Sequence, residues 1–195
     1  MKRFAILTGV LALAAPLAMA QASASTSTWV SDPAHSEVDF NVTHLTITNV
    51  HGRFGKVAAT LEFDQADVSR SRVTATIDIS AVDTGEQARD SHLKTATFFD
   101  VANFASATFT STSVAKRATG LTVTGNLTLH GVTKPVVLNV EGPRGPVQGS
   151  DHKLHSGFSA TATISRSAFG IGSNIPASAV GDEVTLTIDL DVAKQ

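Results

Sequence analysis

Leu121-Thr-Val123-Thr-Gly125-Asn-Leu127-Thr-Leu129 sets an apolar residue or glycine at every second position, with Thr or Asn between them. Period two is the repeat of an extended strand with one face in a core and the other in water, whereas an amphipathic helix repeats about every 3.6 residues. The same alternation recurs about eight times outward from this stretch. Val38, Phe40 and Val42 share a face, as do Val73, Ala75, Ile77 and Ile79. Phe158, Ala160, Ala162 and Ile164 follow, then Val184, Leu186, Ile188, Leu190 and Val192, with weaker runs around residues 53–63, 105–114 and 134–142. Threonine fills many of the opposite positions, where its branched Cβ favours extended backbone and its hydroxyl tolerates water. The fold class is therefore all-β. Eight strands with one apolar face predict an eight-stranded antiparallel β-barrel, which leaves no exposed sheet edge. The inward face includes Ala75, Gly125, Ala160 and Ala162. Such small residues either leave a cavity or make room for neighbouring phenylalanines, and the pattern allows both.

One segment breaks the alternation. Thr84 and Gln87 stand at capping-box spacing before helix-compatible residues, which predicts a short helix between strands over 86–94. The Phe98-Phe99-Asp100-Val101-Ala-Asn-Phe104 stretch that follows is too aromatic for a solvated loop and is expected to tuck under that helix or into the barrel mouth. Residues 165–182, rich in glycine and containing Pro176, predict a long loop before the last strand.

The first twenty residues read as a secretory signal: Lys2 and Arg3, an apolar run from Phe4 to Leu17, and Ala18-Met19-Ala20 as small cleavage positions. The run is shorter than the roughly 20 apolar residues needed to span a bilayer, and no later segment is apolar enough, so no membrane span is expected. Residues 21–28 are expected to form a flexible lead-in, and 29–195 one barrel domain. Export to an oxidising compartment would normally permit disulfides, but the chain has no cysteine. Taking Lys2 and Arg3 from the 15 Lys and Arg leaves 13 against 17 Asp and Glu, a net charge of −4 after the signal is removed. That balance disfavours nucleic acid as a partner, since phosphate binding needs clustered cations.

Several motifs go beyond periodicity. The first half carries Trp29-Val-Ser-Asp-Pro-Ala-His35-Ser36, His44, Gly52-Arg-Phe-Gly55 and Phe63-Asp64. The middle carries Asp83-Thr-Gly85, Arg89-Asp90-Ser-His92-Leu93, Phe98-Phe-Asp-Val101 and Ala107-Thr-Phe109. The end carries Val123-Thr-Gly125-Asn-Leu127-Thr-Leu-His130-Gly-Val-Thr-Lys-Pro135, Arg166-Ser-Ala-Phe-Gly170 and Gly181-Asp-Glu-Val184. In this order they resemble the YceI-like family from Trp29 to the last strand. One departure is Phe104-Ala105-Ser106, where the family usually has a Tyr-Pro pair. The resemblance implies a lipocalin-like barrel exported to the periplasm, whose interior takes a polyisoprenoid or another long-chain amphiphile, an isoprenoid quinone among them. It also implies a binding or carrier protein rather than an enzyme, with a stress-response role among the proposals for the family. Some members are dimers, which leaves a homodimer open. No cofactor is expected beyond the bound lipid.

In such a site a buried methylene contributes about 0.8 kcal/mol, so a five-carbon isoprene unit contributes up to about 4 kcal/mol gross. A neutral head-group hydrogen bond contributes roughly 1 kcal/mol net. The tail should set affinity and the head selectivity, once association costs of roughly 4 to 15 kcal/mol are subtracted. The expected apolar lining is Phe40, Val42, Phe54, Ile77, Ile79, Phe98, Phe109, Leu127, Leu129, Phe158, Phe169, Leu186 and Ile188. Any of these could equally be plain core.

Six polar residues are candidates for the head group. Arg89, Asp90 and His92 lie within one helical turn and could present a donor, an acceptor and a titratable ring, or they could brace the helix locally. His44 continues the face of Val38, Phe40 and Val42 and could point inward. Arg53 and Arg166 could bind a pyrophosphate, or serve as surface ion-pair partners. His152 and His155 have a spacing that a metal can use, but no further ligand lies nearby in sequence, so no metal site is expected. Ser36 beside His35 is read on a strand and not on a nucleophile elbow, so no catalytic residue is expected. Two rivals remain. A small outer-membrane barrel shares the alternation, but it would carry Trp and Tyr girdles, and this chain has one Trp and no Tyr. A lipid-modifying enzyme or chaperone would need a catalytic constellation that the sequence does not assemble.

Overall fold

The computed structural model describes residues 26–195; the expected signal segment and most of the lead-in lie outside the described residues. The alternating runs become β1 (Ser27–Ser31), β2 (Glu37–His44), β3 (Thr48–Arg53), β4 (Val57–Phe63), β5 (Arg72–Asp78), β6 (Ser106–Lys116), β7 (Leu121–Leu129), β8 (Val132–Gln148), β9 (Leu154–Ser165) and β10 (Val180–Lys194). The helix α1 spans Gln87–Leu93. β1 begins inside the stretch expected to be a lead-in. β8 extends beyond its weak apolar run on both sides.

All pairings are antiparallel, in the order β1-β4-β5-β6-β7-β8-β9-β10, and β10 returns to β1 to close the ring. β10 also carries β2 along its earlier part, with Leu186 opposite Phe40, and β2 carries β3. β1 and β2 thus occupy one barrel position, broken at Asp32–Ser36, and β3 and β4 another, broken at residues 54–56. Eight positions close the barrel, as the alternation predicts.

The first break is a turn, so Ser36 lies in that turn and not on a strand. Its hydroxyl donates to the Asp191 carbonyl at 3.1 Å and accepts from the Asp191 N–H at 3.1 Å, which ties the turn to β10. The second break leaves the outer edge of β3 joined to the Val82–Asp83 turn by the bridge Arg53↔Asp83. The segment that carries α1 covers this side: the Thr84 methyl lies against Gly52, and Phe99 meets Phe54 edge-on with centroids 5.6 Å apart.

The N-cap of α1 is Glu86, whose carboxylate accepts from the Ala88 N–H at 3.2 Å. Thr84 is not the cap. Its hydroxyl donates to Asp90 Oδ1 at 2.6 Å and accepts from Arg89 Nε at 2.7 Å, which binds the helix to the preceding loop. Most strands bury one apolar face, with Val57 and Val192 at most 1% exposed, whereas β3 has no buried residue. Thr74, Thr76, Thr108 and Thr110 point outward to water.

A candidate cavity inside the barrel

The inward residues do not fill the interior. At the end that carries α1 and the 166–179 loop, an apolar cavity of about 100 Å³ lies between the broken strands and the aromatic segment. Val38, Phe40 and Val42 of β2 face it, with Leu186 of the paired strand β10 and Ile164 of β9 beside them and Leu127 and Leu129 of β7 across the barrel. Phe54, Phe98 and Phe99 form its side wall, with Leu93 of α1. Phe40 and Phe54 stack tilted at 5.0 Å between centroids. The wall is aromatic where hydrogen-bonded strand is missing, so side chains close a gap that the ladder leaves. A second cavity, of about 70 Å³, lies towards the other end, between Leu61, Val73, Val123, Val140, Phe158 and Leu190.

Nine of the thirteen expected lining residues face the first cavity: Phe40, Val42, Phe54, Ile77, Ile79, Phe98, Leu127, Leu129 and Leu186. Phe158 and Ile188 face the second. Phe109 and Phe169 face neither. Phe109 is buried between the two cavities, and Phe169, within the 166–179 loop, is 2% exposed, with its carbonyl 3.0 Å from His130 Nδ1. Phe99 also lines the first cavity, in line with the expectation for its aromatic stretch, and Leu93, Ile171 and Val180 line it without having been foreseen. Those three sit outside the alternating runs, which gave no signal for them.

The polar candidates are scattered. Arg166 is 4% exposed and borders the first cavity, but its five N–H groups all point at backbone carbonyls. Nε donates to Gly181, Nη1 to Ile171 and Gly172, and Nη2 to Ile175 and Val180, at 2.5 to 3.0 Å. A guanidinium has five donors, so none is left for a pyrophosphate; the side chain staples the loop to a bulge in β10. Asp182 in that bulge is held below the usual carboxylate range by hydrogen bonds from Ser165 and Ser167, with the Arg166 charge a smaller contribution. Arg89 and Asp90 are engaged with Thr84. Arg53 is outside the barrel, beside Glu37 and Asp39 at 3.5 and 3.7 Å. His44 is exposed at the end of β2. His92 is exposed at the rim, edge-on to the lining ring of Phe98 at 5.0 Å between centroids.

Away from the cavities, folding gathers a different histidine pair from the one that sequence spacing suggested. His35 Nδ1 lies 2.8 Å from Asp32 Oδ2, and His155 Nδ1 lies 2.6 Å from Asp191 Oδ1 while its Nε2 is 3.1 Å from Asp151 Oδ1. Asp32, His35 and Asp191 each bring one ligand atom within 4.8 Å of the others. The carboxylates push both rings up: Asp32 acts on His35, and Asp191, then Asp151, act on His155.

The YceI-like domain matches residues 29–192. The protein named YceI of Salmonella newport (strain SL254) is 40% identical over 164 residues, 83% of each chain. Among solved structures, BcnA of Burkholderia cenocepacia superposes with a TM-score of 0.71 at 28% identity, covering 83% of this chain and 98% of that one. The YCEI protein of Campylobacter jejuni gives 0.69 at 33% identity, covering 78% of this chain and 90% of that one. A polyisoprenoid binding domain from Saccharophagus degradans shares the fold, with a TM-score of 0.62 at 19% identity over 87% of this chain and 99% of that one.

Proposed function

The chain belongs to the YceI-like family, and on that premise we propose that it is a periplasmic binding or carrier protein that shelters the isoprenoid tail of an amphiphilic lipid, such as an isoprenoid quinone, inside the barrel. The observation that carries this reading is the apolar cavity at the α1 end. It lies in a barrel whose interior is apolar and whose outer face is threonine-rich, the reverse of an outer-membrane barrel. No helix among the described residues is long and apolar enough to cross a membrane.

Size sets a condition on the mechanism. An apolar cavity of about 150 Å³ takes a molecule the size of benzene, and the first cavity is smaller than that. A tail is therefore admitted only as Phe40, Phe54, Phe98 and Phe99 move apart, and the side lacking strand pairing, beside α1, is where the wall yields at least cost in hydrogen bonds. His92, which lies beside Phe98, would meet the polar head, while the tail would supply most of the binding energy.

The test is mass spectrometry of an organic extract of the purified protein from its native source, beside native mass spectrometry of the intact protein. One isoprenoid per chain, released chemically unchanged, is the expected result. A barrel that carries no lipid and takes up no added farnesol would overturn the proposal.

A further inference from the structure

The β2–β3 hairpin ends in a tight turn at the α1 end of the barrel. Leu45 and Thr46 are its central residues, with φ of 51° and 60°, and the Ile47 N–H donates to the His44 carbonyl at 3.2 Å. Such a turn favours Asn and Gly, and a β-branched residue at positive φ is strained. Yet this one carries Leu45, 51% exposed, and Ile47, at 81% the most exposed large apolar residue among those described. Neither side chain is there to fill the core. The turn is braced from behind: the Leu45 N–H donates to the Ala179 carbonyl at 2.9 Å, and Arg166 holds the loop that supplies that carbonyl. Charge is missing around it. The chain has 17 Asp and Glu, but none falls in residues 40–61, and residues 167–181 contain no charged residue. Within that second stretch Ser173, Asn174, Pro176, Ala177 and Ser178 are exposed. Asp182, the next carboxylate, already accepts from Ser165 and Ser167.

We propose that the Leu45–Ile47 turn, with the uncharged 173–179 loop beside it, is a membrane-docking site that enters the head-group boundary of a phospholipid bilayer. Two side chains on one turn fall far short of the roughly 1,000 Å² that a specific protein interface buries. A bilayer sets no such threshold, because apolar side chains need only reach the boundary between head groups and acyl chains. Carboxylates around the tip would be repelled by anionic head groups and costly to desolvate, so a rim without them suits a lipid surface. Val42, three residues before Leu45, and Val180, opposite His44, both line the first cavity, so a docked tip brings the rim of that cavity to the bilayer. Docking itself needs no bound isoprenoid. Its use, to set the barrel against the phase from which a tail is taken up, rests on the isoprenoid-binding reading above.

The test is co-sedimentation of the mature protein with vesicles of phosphatidylethanolamine and phosphatidylglycerol, for wild type, Ile47→Asp, Ile47→Ser and the control Val137→Asp. Val137 is 51% exposed on the outer face of β8, so the control removes an exposed apolar side chain elsewhere. Wild type and Val137→Asp should bind alike, Ile47→Asp at least about tenfold more weakly, and Ile47→Ser in between. High salt should leave wild-type binding in place, because the contact is apolar. Native mass spectrometry with farnesol reports on the barrel separately, and equal loading of wild type and Ile47→Asp would show that the variant is folded. If wild type ignores the vesicles, or if Ile47→Asp binds them as well as wild type does, the docking proposal falls, whatever the farnesol result. A wild-type dimer that Ile47→Asp breaks, with no vesicle binding, would mean that a second copy covers the tip, and would overturn the proposal too. If Ile47→Asp loses vesicle binding and neither protein loads farnesol, docking stands and the isoprenoid reading falls.

Discussion

Gly52 of β3 lies directly under the ring of Phe40 on β2: a β-carbon at 52 would stand 2.7 Å from Phe40 Cε1 and 2.8 Å from Thr84 Cγ2. The bare backbone lets Phe40 lie flat against the strand and reach Phe54, and it lets the Thr84 loop dock behind. Gly52→Ala should therefore destabilise by about 1–3 kcal/mol through overpacking. On the proposed reading it should also weaken farnesol binding, because Phe40 is displaced into the cavity. Urea unfolding and native mass spectrometry measure the two effects separately, and an alanine variant with unchanged midpoint and binding would contradict this account.

A staple can be tested in the same way. Arg166 supplies five donors to five carbonyls, three in the 166–179 loop and two at the start of β10, and a lysine supplies three donors from a single point. Arg166→Lys should leave at least one buried carbonyl without a partner, at a cost of about 1–3 kcal/mol. It should also speed amide exchange over residues 170–181 before any change appears in β7. Uniform exchange across the molecule would refute the local role.

The histidine contacts give stability a pH dependence with a definite sign. His155 faces a carboxylate at each ring nitrogen, and only the imidazolium donates from both. Its folded pKa, like that of His35, is raised above the ordinary 6.5, so their contribution is complete below that value and is lost as pH rises through the raised values. Asp32 is held below the usual 3.8 by the His35 hydrogen bond, and Asp151 by the Lys153 N–H and then His155. Their contribution is present above 3.8 and is lost as pH falls. These contacts should stabilise most between about pH 3.8 and 6.5. Urea midpoints measured from within that range to higher pH should decline above about pH 6.5, and His155→Gln should flatten the decline.

Thr84 ties α1 to its loop by accepting from Arg89 and donating to Asp90. Thr84→Val removes both hydroxyl contacts at similar volume and should cost about 1 kcal/mol. If α1 moves aside to admit the tail, this variant should exchange bound farnesol faster with little change in capacity. Stopped-flow displacement checks the rate.

The strands show how far local pattern reaches. Period two over β7 and β10 needs no knowledge of neighbours, because alternation along one extended chain sorts residues to two faces by itself. β8 is the longest strand although its apolar run is weak, since pairing on both sides with β7 and β9 draws Lys134 and residues 143–148 into the ladder. In the cavity, the expected residues on β2, β5, β7 and β10 were legible from the same alternation. Leu93, Ile171 and Val180 were not, because they reach the interior from a helix, a loop and a bulge.

By itself the sequence determined an all-β chain with eight barrel positions, one short helix near residue 90 and an apolar inner face, since each follows from the local preference of neighbouring residues for water or core. Tertiary structure alone decided where the barrel breaks and that Phe99 closes the gap. It also spent Arg166 on carbonyls, joined His155 to Asp191 across two strands, and seated Phe109 over Gly125 between two cavities. Each of these is a meeting of residues distant along the chain, and such meetings are set by strand register and closure of the sheet.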